Sequence, residues 1–137
     1  MEISMTFEAS GYPGMAIDVD DDNNVAYAYF LKNGEITGYV WLYNHKNWTP
    51  NPWNAPTDRN GSPTNIEGYF NDDGFRPIES QDEVEVLWDM HYGFVHAAVY
   101  VRGSLLGIVA DQLMPGWSRL ATRDSPVAIP LDSAPQP

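Results

Sequence analysis

A run of closely spaced aspartates near the N-terminus has the residue types and spacing of a calcium-binding loop. The run DVDDDNN begins at Asp18, so carboxylates stand at its first, third, fourth and fifth positions. An EF-hand loop also needs glycine at the sixth position and a bidentate glutamate at the twelfth. Asn23 and Tyr29 occupy those positions, and counting from Asp20 fails in the same way. The sequence therefore predicts a polar turn between two strands, with no metal site and no cofactor.

Three histidines are the only candidates for a histidine-dependent active site, and the chain has no cysteine to act as a nucleophile. His96 falls inside a predicted strand, which favours a packing role, whereas His91 lies beside a predicted turn and is less constrained. The segment GWSRL at Gly116 begins like a nucleophile elbow but lacks its final glycine. A hydrolase that uses two of the 19 acidic residues, with or without His91, stays open because carboxylate spacing depends on the fold.

Nineteen acidic residues against seven basic ones give a formal net charge of −12. Direct binding to nucleic-acid phosphates and to anionic membranes is disfavoured, because both rely on clustered lysine and arginine. An acidic field instead attracts basic proteins and accelerates their encounter. The alternative interpretation is that the charge only keeps a small domain soluble.

Exposed acids around a few aromatic anchors are typical of a protein-binding surface, since buried aromatics supply most of the affinity and charges steer the encounter. Tryptophans in a loop rich in asparagine and threonine have two further interpretations, which are stacking on a sugar and pinning the loop to the domain. The predicted partner-binding positions are Asp20, Asp21, Asp22, Trp48, Trp53, Asp72, Asp73, Glu83 and Glu85.

The clearest structural element is a hairpin over Val25 to Tyr43. Two apolar runs flank Asn33 and Gly34, which both tolerate the positive φ of a tight two-residue turn. This turn sets the register, with Lys32 opposite Glu35, Leu31 opposite Ile36 and Tyr29 opposite Gly38. Large apolar residues at both Val40 and Trp41 indicate a central strand that is covered on both faces.

A second hairpin is predicted where two apolar strands flank Arg102 and Gly103. Its register places Tyr100 opposite Leu105, Val99 opposite Leu106 and Ala97 opposite Ile108. The preceding segment, Ser80 to His91, is compatible with a capped helix or with a half-exposed strand. A strand is favoured because the hairpin follows directly, which gives a three-stranded meander.

These elements predict a mainly β domain over residues 1–131, followed by a frayed tail at 132–137. Antiparallel hairpins form a sandwich or a curved, partly closed sheet, with one or two short helices at most. A proline-rich loop from Asn44 to Thr64 separates the two hairpins, and long loops are often functional. The first residues do not read as a signal peptide, and no apolar run has membrane-spanning length, so a cytoplasmic location is expected.

The C-terminal third resembles a known class of proteins. The stretch VYVRGSLLGI from Val99, the segment MPGWS from Met114 and the segment DSPVA from Asp124 resemble the C-terminal part of polymorphic-toxin immunity proteins. The resemblance covers roughly Val84 to Leu131. It implies a bacterial antidote that binds one cognate toxin without catalysis or a cofactor, and it transfers no site residue.

The function predicted from the sequence is therefore an immunity-type one, in which the chain binds a basic toxin and neutralises it. The acidic composition and the resemblance agree on a basic protein partner. A small carbohydrate-binding or other ligand-binding β-domain is the first alternative, and the acid-dependent hydrolase is the second.

Overall fold

The computed structural model describes residues 2–52, 62–72 and 74–135, and within them the chain forms strands joined by tight turns. Two 3₁₀ turns, Gln81–Glu83 and Leu131–Ser133, are the helical segments of that part. None of its helical segments is long and apolar enough to cross a membrane. In chain order the nine strands of the described chain are β1 (Ile3–Glu8), β2 (Met15–Asp21), β3 (Val25–Lys32), β4 (Glu35–Asn44), β5 (Val84–His91), β6 (Phe94–Val101), β7 (Ser104–Ala110), β8 (Leu113–Ser118) and β9 (Ile129–Pro130).

The strands form two sheets, each in the order of the sequence. β1 to β4 make an antiparallel meander, and β5 to β9 make a second sheet in which the β8–β9 pair is parallel. Successive hairpins produce this order because short turns place neighbouring strands side by side. The predicted fold class, a mainly β sandwich or curved sheet with at most two short helices, is confirmed.

The core lies between the two sheets, and β3 is buried on both of its faces. On one face the ring of Phe30 meets Trp88 of β5 edge-on, at 5.9 Å between centroids. On the other face the hydroxyl of Tyr27 donates to the backbone oxygen of Pro63 at 2.7 Å, and Tyr29 bonds the hydroxyl of Ser62. The end of the long loop therefore covers the first sheet. It supplies hydrogen-bond partners to the two tyrosine hydroxyls, which buried polar groups need.

The β3–β4 turn has the conformation that its sequence predicts. Asn33 has a φ of 52° and Gly34 a φ of 84°, and Lys32 pairs with Glu35 as expected. The pairing of Leu31 is also as predicted. The turn therefore determines the register of the first two pairs.

The register then shifts by one residue at a bulge between Phe30 and Leu31. Gly38 consequently pairs with Phe30, and Tyr29 pairs with Tyr39, so the predicted pairing of Tyr29 with Gly38 is wrong. A bulge places two residues of one strand against one of the other, and turn chemistry does not signal it.

In the β6–β7 hairpin, too, the pair next to the turn is as predicted and a register shift follows beyond it. Tyr100 pairs with Leu105 as predicted, but a register shift between Val99 and Tyr100 places Val99 opposite Gly107. The expected pairing of Val99 with Leu106 is therefore wrong. Beyond the bulge Ala97 pairs with Val109, and Ile108 moves opposite Ala98 instead of Ala97.

The ambiguous segment before that hairpin is a strand, as favoured, preceded by one 3₁₀ turn. The carboxylate of Glu83 accepts the backbone N–H of Ser80 at 3.3 Å, so the capping pattern serves this single turn. β5 then begins at Val84 and forms the edge of the second sheet.

β4 is covered on both faces, with Val40 and Trp41 fully buried, yet it is the last strand of the first sheet rather than a central one. Backbone partners outside the sheet satisfy its free edge, because Trp41 donates to the oxygen of Val127 at 2.9 Å. The C-terminal segment continues along the second sheet, and Ala134, within the predicted tail, is only 8% exposed.

We expect Gly34→Val to lower the free energy of unfolding by about 1–2 kcal/mol, because a β-branched side chain is poorly tolerated at positive φ. Space is not the limiting factor, since a Cβ at Gly34 would meet no atom within 4 Å. Denaturant titration measures the effect, with the exposed neighbour Glu35→Gln as control. Equal midpoints for the two variants would contradict the conformational explanation.

Candidate functional site

The predicted acidic turn is shorter than expected, because Asp18 to Asp21 belong to β2 and only Asp22 to Asn24 form the turn. Asp21 is 2% exposed, and its carboxylate accepts the hydroxyl of Tyr43 at 2.6 Å and lies 2.5 Å from the Nε2 of His45. Burial, followed by the nearby Asp21 carboxylate, raises the pKa of Tyr43, which therefore keeps its proton and donates. Asp21 is thus not part of the exposed surface on which the sequence placed it.

Of the neighbouring aspartates, Asp22 closes the turn and Asp20 bonds across to β1. Asp22 accepts the backbone N–H groups of Asn24 and Val25, both at 2.9 Å, and Asp20 accepts the hydroxyl of Ser4 at 2.8 Å. Asparagine and aspartate commonly close turns in this way. In the described chain no three side chains of the metal-ligating types come together.

Glu83 belongs to a local polar cluster. Its carboxylate pairs with Arg102 at 3.0 Å and accepts the backbone N–H of Glu79 at 2.7 Å. The hydrogen bond from Glu79, followed by that from Arg102, lowers the pKa of Glu83. The guanidinium of Arg102 also lies over the ring of Phe75, at 5.3 Å from its centroid.

Phe75 connects several of the predicted positions. Its ring contacts Tyr43 at 5.1 Å between centroids, and Tyr43 in turn bonds Asp21. Its backbone N–H donates to the oxygen of Asp72, whose side chain is exposed. The Phe75 ring therefore lies against Tyr43 and Arg102, so it connects the pair of Arg102 and Glu83 with the residue that bonds Asp21.

Of the two tryptophans of the long loop, Trp48 lies within the described residues. Trp48 is half-buried, and its ring meets Phe70 edge-on at 5.9 Å, while Phe70 also packs on Trp41 at 5.5 Å. Trp48 thus attaches the loop to the first sheet. Trp53 lies outside the described residues, and so does Asp73.

A different surface emerges on the β5–β6 hairpin. Five large apolar side chains are exposed in the described chain, and three of them fall within six residues: Leu87 at 49%, Met90 at 48% and Tyr92 at 88%. Glu85 and Asp89 alternate with Leu87 on the outward side of the strand. An edge hairpin that exposes apolar groups between acids marks an interaction surface.

The outward side chains of β5 and β6 also line a groove of about 520 Å³. It lies on the outer face of the second sheet, which is the face turned away from the first sheet. Ala98 lies at its centre, with Leu87 opposite on β5 and Ile108 opposite on β7. Tyr100 and Leu105 form the next row of the floor. The groove exists because a small side chain sits between larger ones on adjacent strands.

His96 forms the polar end of the groove. The residue is 4% exposed, and its Nδ1 lies 2.9 Å from the backbone oxygen of Phe94, which can only accept, so Nδ1 carries the proton. Nε2 is buried and has no hydrogen-bond partner among the described residues. The ring stacks on Trp117 at 5.8 Å and meets His91 edge-on at 5.0 Å.

The charge state of His96 follows from this environment. Burial lowers the pKa of His96, and the hydrogen bond to Phe94 opposes this effect; the nearby His91 lowers the pKa further and Asp89 raises it, and the net direction is downward. The imidazole is therefore neutral near pH 7, with a lone pair on Nε2. Asp89 and Asp132 also line the groove, which is thus an apolar trough with hydrogen-bond acceptors and negative charge along it.

Sequence reasoning treated His96 as a packing residue and did not identify the groove. The alternation of His96, Ala98 and Tyr100 along β6 was a signal that these side chains share one face. The position of Ile108 opposite Ala98 depends on the register shift between β6 and β7, which the sequence did not predict.

The described chain is thus a mainly antiparallel two-sheet β protein with a ligand-sized groove on the outer face of one sheet. No family model, no curated protein and no solved structure matches the chain in comparisons of these three kinds. The features of the described chain that bear on its function are the groove and the exposed β5–β6 hairpin.

Proposed function

We propose that this protein binds a positively charged bacterial toxin through the β5–β6 hairpin and neutralises it without catalysis, as an immunity-type protein. The observation that carries the proposal is the exposure of Leu87, Met90 and Tyr92 within six residues of an edge hairpin. Glu85 and Asp89 lie beside Leu87 on the outward face of β5 and supply negative charge there, whereas Met90 belongs to the opposite face of the strand.

The affinity would come from the exposed apolar side chains of the hairpin, chiefly Leu87 and Tyr92. Aromatic and large aliphatic side chains that become desolvated on binding dominate interface energetics, and surrounding polar groups add little beyond excluding water. Tyr92 offers an almost fully exposed ring at the tip of the hairpin. Its φ of 54° holds the backbone in a tight turn, so the ring projects from a defined position.

The specificity would come from charge. A net charge of −12 attracts cationic domains over several ångströms and opposes acidic ones. Toxins that cleave nucleic acid carry cationic surfaces because their substrates are anionic. Those substrates lie in the cytoplasm, and the proposed site of action is therefore the cytoplasm.

The proposal is tested by capture followed by measurement on the purified pair. Immobilised protein is exposed to extract of its native host, and a captured protein is identified, purified and tested for toxicity on expression. The wild-type chain is expected to relieve that toxicity when co-expressed. Capture of no toxic protein, or of one whose toxicity the chain does not relieve, would sink the proposal.

We expect Leu87→Ala and Tyr92→Ala each to weaken binding to that partner by about 2 kcal/mol, roughly 30-fold, mainly through faster dissociation. The control is Ile66→Ala, because Ile66 is 39% exposed and lies outside the hairpin. Glu85→Gln should instead slow association and reduce its dependence on salt. Surface plasmon resonance measures both rates, and unchanged dissociation of the Leu87 and Tyr92 variants would place the interface elsewhere.

A further inference from the structure

We propose that the groove on the outer face of the second sheet receives one arginine side chain of the partner, held between an apolar floor and the acceptors of His96, Asp89 and Asp132. This inference rests on the proposed function and names the side chain that the partner would present. It assigns a binding role to His96, which a purely structural interpretation of that residue lacks.

The apolar floor of the groove fits the methylene chain of an arginine side chain. Leu87, Ala98 and Ile108 stand opposite one another on three adjacent strands, so the depression at Ala98 continues from the edge of the sheet inward. The side chain of an arginine carries three methylene groups before its guanidinium. Long cationic side chains bury such stems on apolar surface while the charged head stays with polar partners.

The acceptors fit the head group. His96 lines the groove, and its buried Nε2 has a lone pair that no described residue uses; such a group costs free energy unless a donor reaches it. A guanidinium has five N–H donors in a rigid plane and can serve a ring nitrogen and a carboxylate at once. The ammonium of lysine is a more compact donor and reaches fewer acceptors in one plane.

The negative charge of the groove also favours a cationic ligand. Asp89 and Asp132 line the groove, and none of the described residues lining it is a lysine or an arginine. The Asp89 carboxylate accepts the N–H of Met90 at 2.8 Å and lies 3.6 Å from the Nε2 of His91, which leaves acceptor capacity on its oxygens. Anionic ligands would meet uncompensated repulsion there, whereas a cation is attracted.

The experiment titrates the isotope-labelled full chain with N-acetyl-arginine N-methylamide and follows the His96 imidazole and the Ala98 amide by NMR. We expect saturable shifts at both residues with a Kd of about 1 mM, the range for a ligand of this size. The citrulline analogue has the same shape but a neutral head, and it should bind about tenfold more weakly. The lysine analogue should fall between the two.

Two variants locate the site. Ala98→Leu fills the groove from an outward-facing, half-buried position and should abolish the shifts at His96. Asp89→Asn keeps the shape but removes charge, and it should weaken the arginine compound several-fold while leaving the citrulline compound unchanged. Folding of both variants is checked by their amide spectra outside the second sheet.

Equal binding of the arginine and citrulline compounds, or no saturable shift at His96, would overturn the inference. Stronger shifts with methyl β-glucoside would overturn it in favour of a sugar site. The two proposals fail separately. Partner binding that depends on Tyr92 but tolerates Ala98→Leu rejects the arginine pocket alone. Arginine binding in the groove without any toxic partner rejects the proposed function alone.

Discussion

Gly38→Ala should lower the free energy of unfolding by about 3 kcal/mol or more, the upper range for overpacking a core. A Cβ at this position would lie 2.2 Å from the backbone oxygen of Ala110 and 3.3 Å from that of Leu113. Both contacts are to backbone atoms of the second sheet, so no side-chain rotation relieves them. The substitution must push β4 away from β7 and β8, which opens the core between the sheets.

Chemical denaturation followed by tryptophan fluorescence measures this effect, since Trp41 lies in the core near the substitution. Glu35→Ala is the matched control, because Glu35 is exposed on the same strand and its loss should change stability by about 0.5 kcal/mol or less. Gly116→Ala should behave like Gly38→Ala, since a Cβ there would lie 2.2 Å from the oxygen of Ile108. A Gly38→Ala midpoint equal to that of the control would refute the close approach.

Gly38 also shows where sequence reasoning ends. The hairpin of β3 and β4 could be predicted because Asn33 and Gly34 act locally, through backbone angles available to few residues. The same reasoning placed Gly38 opposite Tyr29 on the neighbouring strand. The glycine is instead required by Ala110, which lies more than 70 residues away in the other sheet. Local chemistry predicts strands and turns, whereas contacts between sheets depend on the complete fold.

The functional surface was only partly predictable for the same reason. Glu85 was predicted to be a partner-binding residue, and it does lie on the outward side of β5, because alternation along a strand is visible in the sequence. The groove was not predictable, because a bulge moves Ile108 from the position opposite Ala97 to that opposite Ala98. A one-residue shift changes the face to which a side chain belongs. The composition predicted an acidic surface without showing which acids the fold would bury.

A substitution at Asp21 measures whether this acid is buried, as in the structure, or exposed, as the sequence predicted. We expect Asp21→Ala to cost about 3 kcal/mol of stability, because a buried carboxylate that accepts several hydrogen bonds leaves its donors without partners when it is removed. Those donors include the hydroxyl of Tyr43, which is 1% exposed and cannot turn to water, and the ring of His45. Asp82→Ala, at an exposed acid of the 3₁₀ turn, should change stability by about 0.5 kcal/mol or less.

A double-mutant cycle with Tyr43→Phe separates the hydrogen bond from the loss of packing. The hydroxyl of Tyr43 also accepts the N–H of Ile78 at 3.0 Å, so Tyr43→Phe alone should itself be destabilising. In the double variant no hydroxyl is left facing the missing carboxylate, and the combined loss should be smaller than the sum of the single losses by about 1 kcal/mol or more. Strictly additive losses would show that Asp21 and Tyr43 are not coupled. An Asp21→Ala variant as stable as Asp82→Ala would return Asp21 to the exposed acidic surface, where it would again be free to meet a basic partner.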